Sequence, residues 1–116
     1  MTPEQDCIFC RIALGETGVT FVYESDDVVA FDDLEPQAQT HVLVIPRRHI
    51  SSIAAMTRDD HALVGEMFEA VSSVARARGI EESGFRVLTN HGQDSGQTVF
   101  HLHFHLLGGN RLGPLG

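Results

Sequence analysis

The stretch Val99-Phe100-His101-Leu102-His103-Phe104-His105-Leu106-Leu107 alternates histidine with apolar side chains. Successive side chains of a β-strand point to opposite faces of the sheet, so the alternation predicts one strand over residues 99–107 with an imidazole row on one face. Neighbouring rings in such a row lie about 7 Å apart, twice the rise per residue. The opposite face, formed by Phe100, Leu102, Phe104 and Leu106, is expected to pack under a helix.

The remaining chain supplies the other elements of an α+β domain. Its apolar patterns predict a short N-terminal helix over 7–14, strands over 21–24, 28–31, 40–46 and 85–89, and a long helix between Thr57 and Gly79. Thr57 and Asp60 are spaced as a capping box, and Gly79 is placed as a helix terminator. The long helix carries one apolar stripe, formed by Leu63, Val64, Met67, Phe68, Val71, Val74 and Ala75. Strands before and after one long helix predict a mainly antiparallel five-stranded sheet.

Composition restricts the class of partner. The 116 residues carry 16 acidic and 8 basic side chains, for a formal net charge of −8, and 42% of them are hydrophobic. This length and hydrophobic content predict one domain over residues 1–116. The negative charge argues against nucleic acid or an anionic membrane as partner and favours a small ligand. With no apolar run of about 18 residues, no signal-peptide pattern and only two cysteines, the sequence predicts a cytosolic protein without a membrane span.

A row of imidazoles suits chemistry at phosphorus. The unperturbed pKa of histidine, about 6.5, leaves much of the ring neutral and nucleophilic near neutral pH, and neighbouring rings can donate hydrogen bonds to phosphate oxygens. The alternative interpretations are solvated strand histidines or an adventitious metal-binding face. Three alternating histidines backed by an unbroken apolar face favour the catalytic interpretation.

Three segments together resemble a known family. Gly96-Gln97-Thr98-Val99-Phe100-His101-Leu102-His103-Phe104-His105-Leu106-Leu107-Gly108-Gly109 looks like the signature of the histidine-triad (HIT) superfamily. Phe31-Asp32-Asp33-Leu34-Glu35-Pro36-Gln37-Ala38-Gln39-Thr40-His41 and Val44-Ile45-Pro46-Arg47-Arg48-His49-Ile50 are similar to the segments that build the nucleotide pocket of this family. The resemblance runs in the right order over residues 7–109. It implies the HIT-like fold and a hydrolase that cleaves a purine nucleotide at its α-phosphorus.

The resemblance also implies catalytic roles. His103 matches the histidine that attacks the α-phosphorus and becomes a nucleotidyl-imidazole intermediate, which water then hydrolyses. His105 matches the histidine that contacts the α-phosphate oxygens, and His41 and His101 match the other members of the imidazole cluster. Thr98 matches a residue near the leaving group that can relay its proton.

The nucleotide-binding residues follow from the same comparison. Asp33 matches the acid that accepts hydrogen bonds from the ribose hydroxyls, with turn capping as the alternative. Asn90 matches a position close to the phosphate and ribose, and Gln97 precedes Thr98 in the signature. The apolar wall of the base site is expected from Ile8, Phe9, Ile12, Phe31 and Leu43. Ordinary core packing is the alternative for each of these apolar side chains.

Cys7 and Cys10 have a spacing that lets both thiolates bind one tetrahedral metal ion. Some HIT members and the related galactose-1-phosphate uridylyltransferases hold a structural zinc in this way. Carried over, the ligands are Cys7, Cys10, His49 and His101. Four protein ligands leave no open position, so this zinc is structural and no catalytic metal is required. A redox-active dithiol and two inert buried thiols are the alternatives.

Features around the signature bear on the activity. Gly108-Gly109 favours the Hint-like branch, which hydrolyses purine nucleoside phosphoramidates and usually forms homodimers. Residues 110–116 lack the aromatic part of the tail that many members of this branch carry. Gln97-Thr98-Val99 resembles the dinucleoside polyphosphate hydrolases, which provide the alternative activity. A non-catalytic nucleotide-binding or metal-binding module is the alternative of a different class. The expected partners are a small-molecule purine nucleotide and a second copy of the chain.

Overall fold

The computed structural model describes residues 6–115, so the two ends of the predicted 1–116 domain lie outside the described residues. A short helix α1 (Ile8–Ala13) is followed by strands β1 (Tyr23–Glu24), β2 (Val28–Asp32) and β3 (Thr40–Pro46), the long helix α2 (His61–Ala77), and strands β4 (Phe85–Leu88) and β5 (Phe104–Gly108). The strands pair antiparallel in the order β1-β2-β3-β5-β4. The predicted α+β class and five-stranded sheet are confirmed.

Strand β3 lies at the centre of the sheet and is buried along its whole length. One face of the sheet packs against α2, and the apolar cluster between them includes Val42, Val44, Leu106, Met67 and Val71. The opposite face packs against α1, and its cluster includes Phe9, Ile12, Phe31, Leu43 and Ile45. The sheet is therefore the middle of three layers, which explains why β3 is apolar on both faces.

Helix α2 begins and ends at the predicted signals. The Asp60 carboxylate accepts a hydrogen bond from the Thr57 N–H at 2.8 Å, and a 3-10 turn over Arg58–Asp60 precedes the helix. Gly79 adopts a φ of +70°, a left-handed conformation that glycine takes without steric cost. The Ile80 N–H then donates to the Ala75 carbonyl at 3.0 Å and closes the helix end.

The histidine-bearing strand is shorter than the predicted 99–107, because β5 begins only at Phe104. Val44 of β3 pairs with Phe104, so continuing the register would place Leu102 opposite Pro46, which has no N–H to donate. The Leu102 N–H instead donates to the Ile50 carbonyl at 2.6 Å. The first two histidines of the row, His101 and His103, therefore precede the strand, and the chain joins the ladder only at Phe104.

Two aromatic side chains depart from the predicted apolar faces. Leu102, Phe104 and Leu106 pack in the α2 cluster as predicted, whereas Phe100 is 61% exposed, and the prediction is wrong for this residue. Phe68, assigned to the apolar stripe of α2, is half exposed with its ring centroid 4.9 Å from that of Phe104. Among the described residues, no helix combines the length and apolar character needed to cross a membrane.

Candidate active site

A cleft of about 670 Å³ opens between α1, the first half of β3 and the segment that carries His103 and His105. Most of the predicted site residues line it, namely His103, His105, His41, Thr98, Asp33, Ile8, Phe9, Ile12, Phe31 and Leu43. Asn90 and Gln97, predicted to bind the nucleotide, and His101, predicted in the imidazole cluster, are not among the lining residues. The Gln97 side chain holds the loop before the histidines, donating to the carbonyls of Ser51 at 3.0 Å and Val99 at 3.2 Å.

Helix α1 supplies one apolar wall of the cleft. The Phe9 ring meets the ring of Phe31 edge-on at 5.7 Å between centroids and that of His103 at 5.1 Å. Phe9, Ile12, Phe31 and Leu43 are buried members of the α1 cluster, so these side chains belong to the core and to the cleft wall at once. Ile8 is 43% exposed and lines the cleft from its rim.

The His103 ring is held by a hydrogen bond to the main chain two residues earlier. Its Nδ1 lies 2.7 Å from the His101 carbonyl, and because a carbonyl oxygen only accepts, Nδ1 carries the proton. In the neutral ring Nε2 then keeps its lone pair. The Thr89 hydroxyl donates to the His103 carbonyl at 2.7 Å and fixes the main chain at the same residue. These contacts orient an unprotonated ring nitrogen on a residue that lines the cleft.

His41 and His105 form a second hydrogen-bonded unit. His41 Nε2 lies 2.9 Å from His105 Nδ1, and the Gln37 main-chain N–H donates to His41 Nδ1 at 3.0 Å. Since Nδ1 accepts this bond, the proton of the neutral His41 ring sits on Nε2. The Asp33 carboxylate oxygen Oδ2 lies 3.5 Å from the same Nε2.

Burial keeps this histidine cluster neutral. It lowers the pKa of His103, although the hydrogen bond to the His101 carbonyl and the charge of Asp33 act in the opposite direction. Burial likewise lowers the pKa of His41 and, helped by the neighbouring His103 and His41, lowers the pKa of His105 to about 4. A ring with a lowered pKa is deprotonated at neutral pH. The cluster therefore supplies neutral imidazoles, as nucleophilic attack requires.

The two carboxylate oxygens of Asp33 have different surroundings. Its Oδ1 accepts a hydrogen bond from the Glu35 N–H at 2.9 Å, which is a turn-capping contact. Its Oδ2 remains on the cleft side near His41. The carboxylate of the adjacent Asp32 pairs instead with the Arg78 guanidinium, 2.9 Å away.

The first triad histidine, His101, belongs to a separate cluster with Cys7, Cys10 and His49. The Cys7 Sγ lies 3.2 Å from His101 Nδ1, and the Cys10 Sγ lies 3.4 Å from the same atom and 3.3 Å from His49 Nδ1. One ligand atom from each of the four residues lies within 4.8 Å of every other. Sulfur and nitrogen ligands of a tetrahedral zinc are about 3.5 Å apart, so the donor set fits this ion.

The tautomer of His101 agrees with the metal interpretation. His101 is fully buried, and its Nε2–H donates to the Pro46 carbonyl at 2.8 Å. The lone pair is therefore on Nδ1, which faces the two sulfurs. Burial lowers the pKa of His101 to about 4, so the ring is neutral, as a metal ligand must be.

Asp33, His41 and His105 are also close enough to hold a metal ion. His41, however, receives the Gln37 N–H on Nδ1, so an ion at Nε2 would require a ring without any proton. This conflict disfavours a metal there. The hydrogen bonds instead fit a neutral His41 that accepts from the Gln37 N–H and donates from Nε2 to His105.

Several partners of the cluster histidines were not identified from the sequence. They include the Gln37 main-chain amide, the carbonyls of His101 and Pro46, and the Thr89 hydroxyl. The amide and the two carbonyls are main-chain groups, which every residue carries, so no side-chain pattern could have identified them.

The sequence profile of the HIT domain matches residues 15–112. The chain belongs to the HIT family. A HIT family hydrolase from Clostridium thermocellum has a similar structure, with a TM-score of 0.92, 41% identity and 96% of each chain covered. An uncharacterized HIT-like protein of Synechocystis is 45% identical over 90% of this chain and 91% of its own length. The purine nucleoside phosphoramidase of Escherichia coli K12 is 38% identical over 96% of this chain and 93% of its own length.

Proposed function

We propose that this HIT protein is a purine nucleoside phosphoramidase that releases the nucleoside monophosphate through a nucleotidyl-His103 intermediate. The observation that carries the proposal is the Nδ1–H of His103 bound to the His101 carbonyl, which leaves a lone pair on Nε2 beside the cleft. The similarity to the Escherichia coli phosphoramidase supports the choice of substrate class.

The reaction proceeds in two displacements. In the first, the Nε2 lone pair of His103 forms a bond to the α-phosphorus, and the bond from phosphorus to the leaving amine breaks. The amine departs after taking up one proton from solvent, for which Thr98 at the cleft edge is the proposed relay. In the second, the oxygen of a water molecule forms a bond to the phosphorus and one of its protons returns to solvent. The phosphorus–Nε2 bond breaks, and the monophosphate leaves with His103 restored.

The remaining cleft residues bind and orient the nucleotide in this proposal. Asp33 accepts hydrogen bonds from the ribose hydroxyls through Oδ2, while Oδ1 stays bound to the Glu35 amide. The apolar wall around Phe9 and Phe31 receives the base. Asn90 and Gln97 act from outside the cleft lining, Gln97 by holding the loop that carries Thr98.

Cys7, Cys10, His49 and His101 would hold a zinc ion, with His101, the first of the three alternating histidines, as one of its ligands. When bound, the metal supplies a cross-link between the N-terminal end of α1, the segment after β3 and His101, two residues before the nucleophile. It takes no part in the displacement, because four protein ligands close its coordination sphere. The homodimer and the cytosolic location implied by the sequence stay predictions, and the mass of the protein in solution tests the first.

Replacing His103 tests the proposal. We expect His103→Asn to lower turnover of an adenosine 5′-phosphoramidate by roughly a thousandfold or more while AMP still binds, because Asp33 and the apolar wall remain. Rapid quenching into alkali should trap an acid-labile nucleotidyl group on the wild-type chain only. His61→Asn, which changes an exposed histidine at the start of α2, is the matched control and should keep full activity.

Two results would reject the proposal. Turnover by His103→Asn close to the wild-type rate would exclude the covalent route. Efficient wild-type cleavage of diadenosine polyphosphates, with phosphoramidates left intact, would assign the chain to the alternative hydrolase activity.

A further inference from the structure

The loop between β2 and β3 contributes a main-chain donor to the histidine cluster. The Gln37 N–H lies 3.0 Å from His41 Nδ1 and can only donate. This forces the proton of the neutral His41 ring onto Nε2, which lies 2.9 Å from His105 Nδ1. His105 Nδ1 must then accept, so the proton of the neutral His105 ring is on Nε2.

A second group favours the same arrangement. The Asp33 carboxylate, 3.5 Å from His41 Nε2, can only accept and so also requires a proton there. The Gln37 amide is the closer of the two contacts, and one oxygen of Asp33 is already bound to the Glu35 N–H. The amide is therefore the stronger determinant of the tautomer.

The series of hydrogen bonds from Gln37 through His41 to His105 ends at Nε2 of His105. His105 Nε2 is buried and has no hydrogen-bond partner within residues 6–115. A buried donor without an acceptor is unfavourable and is rare unless a ligand completes it. His105 lines the cleft in which His103 also lies, with the two ring centroids 5.0 Å apart.

We propose that the Gln37 main-chain amide is a positioning group, which fixes the tautomer of His41 and through it makes His105 a hydrogen-bond donor toward the reacting phosphoryl group. The catalytic part of this inference rests on the proposed function, whereas the tautomers do not. With the opposite tautomer, His105 would present a lone pair to an anionic oxygen and would destabilise the transition state.

Gln37→Pro removes the amide hydrogen, and Gln37→Ala is the matched control that keeps it. We expect ¹⁵N NMR of the imidazole rings to place the protons of His41 and His105 on Nε2 in wild type and in Gln37→Ala. In Gln37→Pro the protons should redistribute between the two ring nitrogens. The kcat for an adenosine phosphoramidate should fall about 10- to 100-fold in Gln37→Pro with little change in KM, since one donor to the transition state is weakened.

The outcomes separate the inference from the function on which it rests. A wild-type spectrum with the His105 proton on Nδ1 overturns the inference, even if Gln37→Pro does not fold. Equal spectra and equal kcat in the proline and alanine variants overturn it as well. If wild type hydrolyses no phosphoramidate, the proposed function fails, and the catalytic part of the inference fails with it, while the ring spectra still decide the tautomers.

Discussion

The double substitution of Cys7→Ser and Cys10→Ser tests whether the proposed zinc site supports His103, the proposed nucleophile. Serine is the least disruptive replacement at position 7, because the Cys7 Sγ accepts the Cys10 N–H at 3.3 Å as the N-cap of α1. A serine hydroxyl is a preferred N-cap group, so the helix should persist. The variant lacks both thiols, so we expect it not to bind the proposed zinc.

The size of the effect follows from the burial of His101. This fully buried ring would keep its Nε2 bond to Pro46 but lose the ligand on Nδ1. An unsatisfied buried polar atom costs about 1–3 kcal/mol, which in a domain of this size lowers the melting temperature by roughly 5–15 °C. His103 depends on the carbonyl of the same residue, so a looser His101 should lower kcat by up to about tenfold, or about 1.4 kcal/mol.

Metal analysis, thermal unfolding and phosphoramidate turnover measure the three parts of this prediction. Wild-type protein purified without chelators should contain about one zinc per chain, as a closed four-ligand site binds. His61→Asn is the control for a histidine outside the cluster and should keep the zinc and the melting temperature. Wild type without zinc and with two titratable thiols would refute the metal site, and a double variant with unchanged melting temperature and kcat would refute the coupling to His103.

Two other predictions concern the ribose contact and acid stability. Asp33→Ala should weaken ribonucleotide binding by roughly 10- to 100-fold, the value of a charge-assisted hydrogen bond of about 1.5–3 kcal/mol, and should leave 2′,3′-dideoxynucleotide binding unchanged. Calorimetric titration with both ligands measures this, and equal losses would assign Asp33 a structural role. Burial lowers the pKa of His105 from 6.5 to about 4, so the unfolded chain takes up this proton at higher pH than the folded one. The contribution of His105 to stability is therefore present above about pH 6.5 and is lost as the pH falls toward 4. The advantage of wild type over His105→Gln in melting temperature should shrink across that window, and parallel curves would contradict the assignment.

Local patterns were sufficient for most of the fold. The capping box at Thr57, the terminator at Gly79 and the apolar run of β3 all lie where the sequence predicted them, because each depends on neighbours within one turn or one strand. The predicted start of the last strand at residue 99 was wrong, because the length of a strand depends on the strand with which it pairs. Pro46 has no N–H to donate, so the pairing of β3 with β5 stops before it, and nothing within residues 99–107 indicates this.

For the candidate site, the sequence by itself determined which side chains are available and which face of the chain carries them. Alternation placed Leu102, Phe104 and Leu106 in the α2 cluster and His103 and His105 on the cleft, because an extended chain directs alternate side chains to opposite sides. Only the tertiary structure decided which group each imidazole contacts. His101 turns to the cysteine sulfurs, His103 to a carbonyl of its own segment and His105 to His41. The partners of His101 and His105 come from elements distant in the sequence, and the partner of His103 is a main-chain carbonyl that every residue carries. The position of each ring proton is therefore set by contacts that exist only in the folded chain.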